Sequence, residues 1–176
     1  DELDLVATTI GPGAFTGLRI CLATARALAL AARLPLIGVT TLEAVAVAQE
    51  STNTPLLVAI DSKRSDCYVQ LFDEDRRALG EPSAVLPSSV AAMLPPGEVA
   101  LAGTAADDVL SALTASGCEL NRLRKRDNPH ASQVASLAAA RVDGAMPQYG
   151  APPPEPIYLR SPDVTLAKPR ARVDNL

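Results

Sequence analysis

Apolar residues fall in short runs along this chain, and the spacing inside the runs changes between a strand period and a helix period. Residues 5–10 read as a strand, with Val6 and Ile10 among small neighbours. Gly11, Gly13 and Gly17 punctuate the next stretch, and an alanine- and leucine-rich helix is predicted from about 17 to 33. Thr16 suits its N-cap, because a hydroxyl there can accept a free N–H of the first turn. Leu34-Pro35 ends that helix, residues 35–40 form a short buried strand, and Thr41 caps a second apolar helix to about residue 49. The polar stretch Ser51-Thr52-Asn53-Thr54-Pro55 is the strongest break in the pattern.

A second organisation starts there. Residues 56–60 are a continuous apolar strand, 61–66 a polar turn, and 67–72 a strand with alternating Tyr68, Gln70 and Phe72, which together spell a hairpin. Residues 76–80 offer a third strand, 88–94 a short helix, and 99–102 a strand ending at Gly103. Helices are predicted over 105–116 and 131–142, the latter with Val134, Leu137 and Ala138 at helical spacing. Residues 145–156 hold five prolines and read as an extended connector. Ile157-Tyr158-Leu159-Arg160 reads as a docking strand, and residues 161–176 as a flexible tail. Interleaving of this kind implies an α/β or mixed layered fold.

Composition narrows the function. The apolar content of 48% is mostly Ala, Leu and Val, with two Phe, three Tyr and no Trp, which favours closely packed helices and sheets over an aromatic binding surface. A net charge of −4 gives no global sign of a nucleic-acid binder. Cys21, Cys67 and Cys118 are too scattered for a disulfide framework or a zinc pattern, and a reduced, cytoplasmic setting fits them best. The Ala/Leu run at 20–32 is short for a bilayer span and contains Arg26. The chain opens Asp-Glu-Leu-Asp, without Met, directly into a strand, as a processed chain or a fragment lacking its first part would.

A strand, a glycine turn and a helix N-terminus together make a physical anion site. The specific phosphate motifs are not met. Leu18 follows Gly17 where a Walker loop needs lysine, the three glycines are one residue too widely spaced for a dinucleotide fingerprint, and Pro12 removes a donor. A tight turn that brings helix and sheet together is the plainer reading. The helix behind it carries charge only at Arg19, Arg26 and Arg33, seven residues apart. Leu18, Cys21, Leu22, Ala25, Leu28, Ala29 and Ala32 cover much of the rest, so burial on most sides is expected, by an ordinary core environment or by a partner.

Catalytic constellations are sparse. His130, the only histidine, follows Asn128-Pro129 at a helix entry, as a surface or capping residue would. No His pair has metal-ligand spacing, and no Cys sits in register with His130 for nucleophilic work. Asp107-Asp108 fit a helix start. Asp61 ends an apolar strand, where α/β enzymes often keep an acid, but the turn after it contains no glycine. Arg122-Leu123-Arg124-Lys125-Arg126 is either a solvated charge run or an RNA contact.

The run GPGAFTGLRICLATARALALAARLPLIGVTTLEAVA resembles the GPGSFTGLRIG…GVSSLEALA segment of the bacterial TsaB (YeaZ) family. LLVAIDSKRSDCYVQLFD is similar to that family's following AIDAR-GEVY hairpin, and PEPIYLRSPDVTL to its closing PEP-YLRPPD. Residues 80–145 match only loosely. Ala14 replaces the usual Ser, and Ser65-Asp66-Cys67 stands where Gly-Glu-Val is typical. The resemblance implies an actin/Hsp70-like, two-lobe fold built on RNase H-like sheets, with the N-terminal segment of the first lobe lacking here. On that basis residues 1–54 are the remainder of an N-terminal lobe with a partner-binding helix, and 55–160 a C-terminal RNase H-like lobe. It further implies a non-catalytic scaffold for threonylcarbamoyl transfer to a tRNA adenosine. Such a scaffold binds a catalytic TsaD-type paralogue that a TsaE-type ATPase then engages, contacts tRNA only through that complex, and can form a homodimer. No cofactor is expected. Leu18, Leu22, Ala25, Arg26 and Ala29 are expected at the partner surface, with Gly11, Gly13, Thr16 and Gly17 positioning the helix. The alternative is an ATP-binding kinase or hydrolase of the actin-like superfamily, for which an older label is M22-type peptidase.

Overall fold

The computed structural model describes residues 3–114, 117–124, 126–142 and 148–160; the expected tail, 161–176, lies outside them. Two sheets organise these residues. The first has two parallel strands, β1 (Val6–Thr9) and β2 (Leu36–Val39), joined through helix α1 (Phe15–Ala32). The second has five strands: β3 (Leu56–Asp61), β4 (Cys67–Phe72), β5 (Ser83–Val85), β6 (Val99–Ala102) and β7 (Leu120–Arg122), in the order β5-β4-β3-β6-β7. Its first three strands pair antiparallel, while β6 and β7 run parallel to β3.

Helix α2 (Thr41–Ala46) lies between the sheets, and helix α4 (Ala131–Arg141) packs on the smaller sheet and on α2. Leu42, Val45 and Ala46 of α2 pack on Leu56, Val58 and Ile60 of β3. Ala44, on its other side, meets Ile37 and Val39 of β2 together with Val134 and Ala138 of α4. The opposite face of the larger sheet, carrying Leu57 and Ala59, is covered by helix α3 (Ala106–Leu113) and a 3-10 helix, Pro87–Met93. Strand β3 is therefore apolar on both faces, which is why it reads as an unbroken run rather than an alternation.

Several boundaries differ from the sequence expectation. Helix α1 starts earlier, with Ala14 as its N-cap and no side-chain cap, so Thr16 lies inside the first turn. The cap of α2 is Thr40, not Thr41. Its hydroxyl accepts the Glu43 N–H at 3.0 Å, and Glu43 accepts the Thr40 N–H at 2.8 Å, a reciprocal capping box. Residues 76–80 make only an isolated bridge, Phe72 to Ala78, because Arg76 turns the backbone with a φ of 65° and the third strand forms later at β5. Ile157–Arg160 forms no strand; a single backbone bond, from the Ile157 N–H to the Ile10 carbonyl at 2.7 Å, docks it.

Candidate functional site: the cleft and the outer face of helix α1

Between the sheets lies a cleft of about 270 Å³. One wall is the glycine turn and the start of α1, with Thr9, Pro12, Gly13, Ala14, Gly17, Leu18 and Cys21; the other carries Ile60, Asp61, Lys63, Thr104 and Asp127. Gly11 is left-handed, with a φ of 102°, and the Gly11–Pro12 peptide is cis. The uncapped first turn of α1 lies directly beyond it, at the cleft.

The facing wall pairs its two carboxylates within the chain. The Lys63 N–H and ammonium both reach the Asp61 carboxylate at 2.6 Å, and these bonds hold its pKa below the usual carboxylate range. The Asp61 N–H goes to the Thr104 hydroxyl at 2.9 Å. The Gly103 N–H goes to Asp127 at 3.0 Å, and Asp127 is gripped at 2.8 and 2.9 Å by Arg122, whose side chain is only 8% exposed. Hydrogen bonding to Arg122 lowers the Asp127 pKa, so this carboxylate stays ionised. A polyphosphate entering the cleft would meet the uncapped start of α1 on one wall and the paired Asp61 and Asp127 carboxylates on the other.

The basic run divides in the same way. Arg122 is the last residue of β7 and also pairs with Asp107 at 3.0 Å, while Arg124 reaches Asp107 at 3.2 Å. Two members of the run are thus internal ion-pair partners rather than free phosphate contacts. Asp107 and Asp108 stand in the first turn of α3, as expected. His130 caps α4 by accepting the Ser132 N–H. Among the described residues, no group of three His, Cys, Asp or Glu side chains could hold a metal ion. Burial pushes the Cys67 thiol up to about 11.

Helix α1 is the second feature. Of its 18 residues only Leu18, Leu22, Ala25 and Ala29 are buried, in one stripe against the small sheet. Four of the five residues expected at a partner surface are therefore turned into this chain. The fifth, Arg26, donates to the Pro154 carbonyl at 2.9 Å. The exposed side is a different set. Ile20, Leu28 and Leu30 are 63%, 58% and 67% exposed, and Ala23, Ala27 and Ala31 run between them along one line of the helix. The helix is also longer than the apolar run at 20–32. With 18 residues and a mean hydropathy of 1.4 it is long and apolar enough to cross one, by length and composition.

The chain matches, over residues 1–150, the family model described as tRNA N6-adenosine threonylcarbamoyltransferase, TsaD. It is 38% identical over 80 residues to the tRNA threonylcarbamoyladenosine biosynthesis protein TsaB of Escherichia coli K12, a stretch spanning 44% of this chain and 35% of that protein. An uncharacterised protein of Mycobacterium tuberculosis H37Rv is 33% identical over 171 residues, 97% of this chain and 69% of the relative. Two solved structures of Pseudomonas aeruginosa proteins are similar. One, of an uncharacterised protein with similarity to peptidase YeaZ, has a TM-score of 0.74 at 26% identity over 90% of this chain and 74% of its own. The other, YeaZ, has a TM-score of 0.67 at 25% identity over 88% and 74%. With the mixed five-stranded sheet, these neighbours identify an actin-like α/β fold.

Proposed function

The chain belongs to the TsaB (YeaZ) family, within the wider group that the TsaD description covers, and we propose that it is a docking subunit in tRNA threonylcarbamoyladenosine biosynthesis rather than the catalyst. The observation that carries this reading is the outer face of α1. An 18-residue helix that buries four side chains and offers an Ala23, Ala27, Ala31 line flanked by Ile20, Leu28 and Leu30 is shaped to receive another helix closely. A TsaD-type catalytic paralogue supplies that helix, and a second copy of this chain is the default occupant when the paralogue is absent. A TsaE-type ATPase engages the assembled pair, and tRNA is contacted through the assembly. The pairing of Asp61 with Lys63 and of Asp127 with Arg122, and the capping role of His130, support a chain without chemistry of its own.

The test is pairing of this chain with a TsaD-type protein from the same source, measured by titration calorimetry and sedimentation. Ala27→Glu is expected to weaken pairing at least about tenfold, as a charge buried at an interface centre does. Undiminished pairing by a folded Ala27→Glu protein overturns the assignment of the surface. Binding of the unmodified chain to neutral liposomes in place of the paralogue would instead assign the face to a membrane. Crossing the bilayer would require Arg26 to leave the Pro154 carbonyl, so a spanning helix is the disfavoured outcome.

A further inference from the structure

We propose that residues 154–160 are a strap that holds the two sheets at a fixed opening, spanning the walls of the cleft from outside. Its contacts come from segments far apart in the sequence. Pro154 lies against Gly38 of β2, where a Cβ would come within 2.7 Å of the proline ring, and its carbonyl accepts from Arg26 of α1. The Ile157 N–H donates to the Ile10 carbonyl, and the Ile157 carbonyl passes so close to Gly11 that a Cβ there would approach it to 2.9 Å. Tyr158 stacks on Phe15 with ring centroids 5.7 Å apart, and its hydroxyl accepts from Arg19 at 3.2 Å, while the Arg19 guanidinium sits 4.0 Å above the Phe15 ring. Arg160 then reaches the other sheet, pairing at 3.2 Å with Asp66, whose side chain is 12% exposed and also accepts from Ser62 at 2.6 Å.

The two ends of the strap therefore grip the two cleft walls. One end is fastened to the glycine turn and α1, the other to the hairpin turn that carries Asp61 and Lys63. The strap passes close to Gly11 and Gly38: a Cβ at 38 would strike both Ile10, at 2.5 Å, and Pro154, and one at 11 would crowd the Ile157 carbonyl and Leu18. The strap also covers the arginine flank of α1, which accounts for the seven-residue spacing of Arg19 and Arg26 and leaves the alanine line uncovered. The inference is independent of what docks on that line.

Amide hydrogen exchange on the whole chain tests it, because a strap transmits and a set of local contacts does not. Tyr158→Ala is expected to speed exchange at least about threefold in the 62–66 turn, which Tyr158 does not touch. Arg160→Ala is expected to do the same at the Ile10 and Thr41 amides, which are bonded to the Val39 and Gly11 carbonyls at the glycine turn. If either variant fails to fold, Tyr158→Phe, which deletes only the hydroxyl bonded to Arg19, and Arg160→Gln repeat the comparison. Changes confined to each residue's own contacts, or no change, overturn the strap.

Discussion

The two sheets differ in how completely this chain covers them. In the five-stranded sheet, Leu56, Leu57, Val58, Ala59, Val69, Phe72, Ala100, Leu101 and Ala102 are wholly inaccessible, with α3 on one face and α2 on the other. The two-stranded sheet has no wholly buried β1 residue, and its α1 helix leaves fourteen of eighteen residues exposed. One half has spent its apolar surface on its own stability. The other keeps a surface whose burial would stabilise an assembly instead. Substitutions that damage the first half should show as lost folding, and those on the second as lost association.

The largest expected effect is at Gly103, where β6 ends. Its φ is 106°, and a Cβ would lie 2.1 Å from the Ala59 carbonyl oxygen, inside the β3–β6 pairing. Gly103→Ala must part those strands and also misplace the N–H that Asp127 accepts. A loss of about 4 kcal/mol or more is expected, a large fraction of a typical domain's stability. Urea unfolding checks it, and a stable Gly103→Ala protein would break the comparison from the packed side.

Next is the Arg122–Asp127 pair. Asp127→Asn leaves a mostly buried guanidinium without its principal counter-charge and should cost about 2–3 kcal/mol at neutral pH, reduced from the fully buried figure because Asp127 is 31% exposed. The folded-state pKa of Asp127 is depressed. Its contribution is therefore present above the unfolded value of about 3.9 and is lost as pH falls through the folded value. The unmodified chain should lose stability steeply below about pH 4, and Asp127→Asn should lose this component of that slope. Parallel acid titrations of thermal midpoint compare the two; equal slopes would show that the pair contributes nothing.

The same contrast explains what was legible in the sequence. The larger sheet announced itself, because burial on both faces forces a continuous apolar strand at β3 and a hairpin at β3–β4. The capping box at Thr40 and Glu43 was also written out, one residue before the cap expected. Strand β7 was hidden, since Leu120-Asn121-Arg122 pairs through its backbone while its arginine serves an ion pair. Nor could helical periodicity locate α1's free surface. The helix is apolar around most of its circumference, so the pattern does not say which stripe the sheet takes, and Leu18, Leu22, Ala25 and Ala29 take it. The strap has no period at all; its contacts depend on tertiary approach at Gly11 and Gly38.

The smallest expected effect is the sharpest test of the comparison, because it sets two faces of one helix against each other. Leu22 is 4% exposed and Ile20 is 63% exposed, two residues away on the opposite side of α1. Leu22→Ala removes a packed side chain and should cost about 2–3 kcal/mol, toward the lower end for buried leucines because the sheet it meets has only two strands. Ile20→Ala removes nothing this chain packs against and replaces a β-branched residue by the best helix former, so its stability should lie within about 0.5 kcal/mol of the parent. Pairing should respond in the other order, with Ile20→Ala weakening it about tenfold or more while the protein melts normally. Should Ile20→Ala destabilise the isolated chain as much as Leu22→Ala, the outer face would already be packed in solution, and α1 would be a core helix on both sides rather than a docking surface.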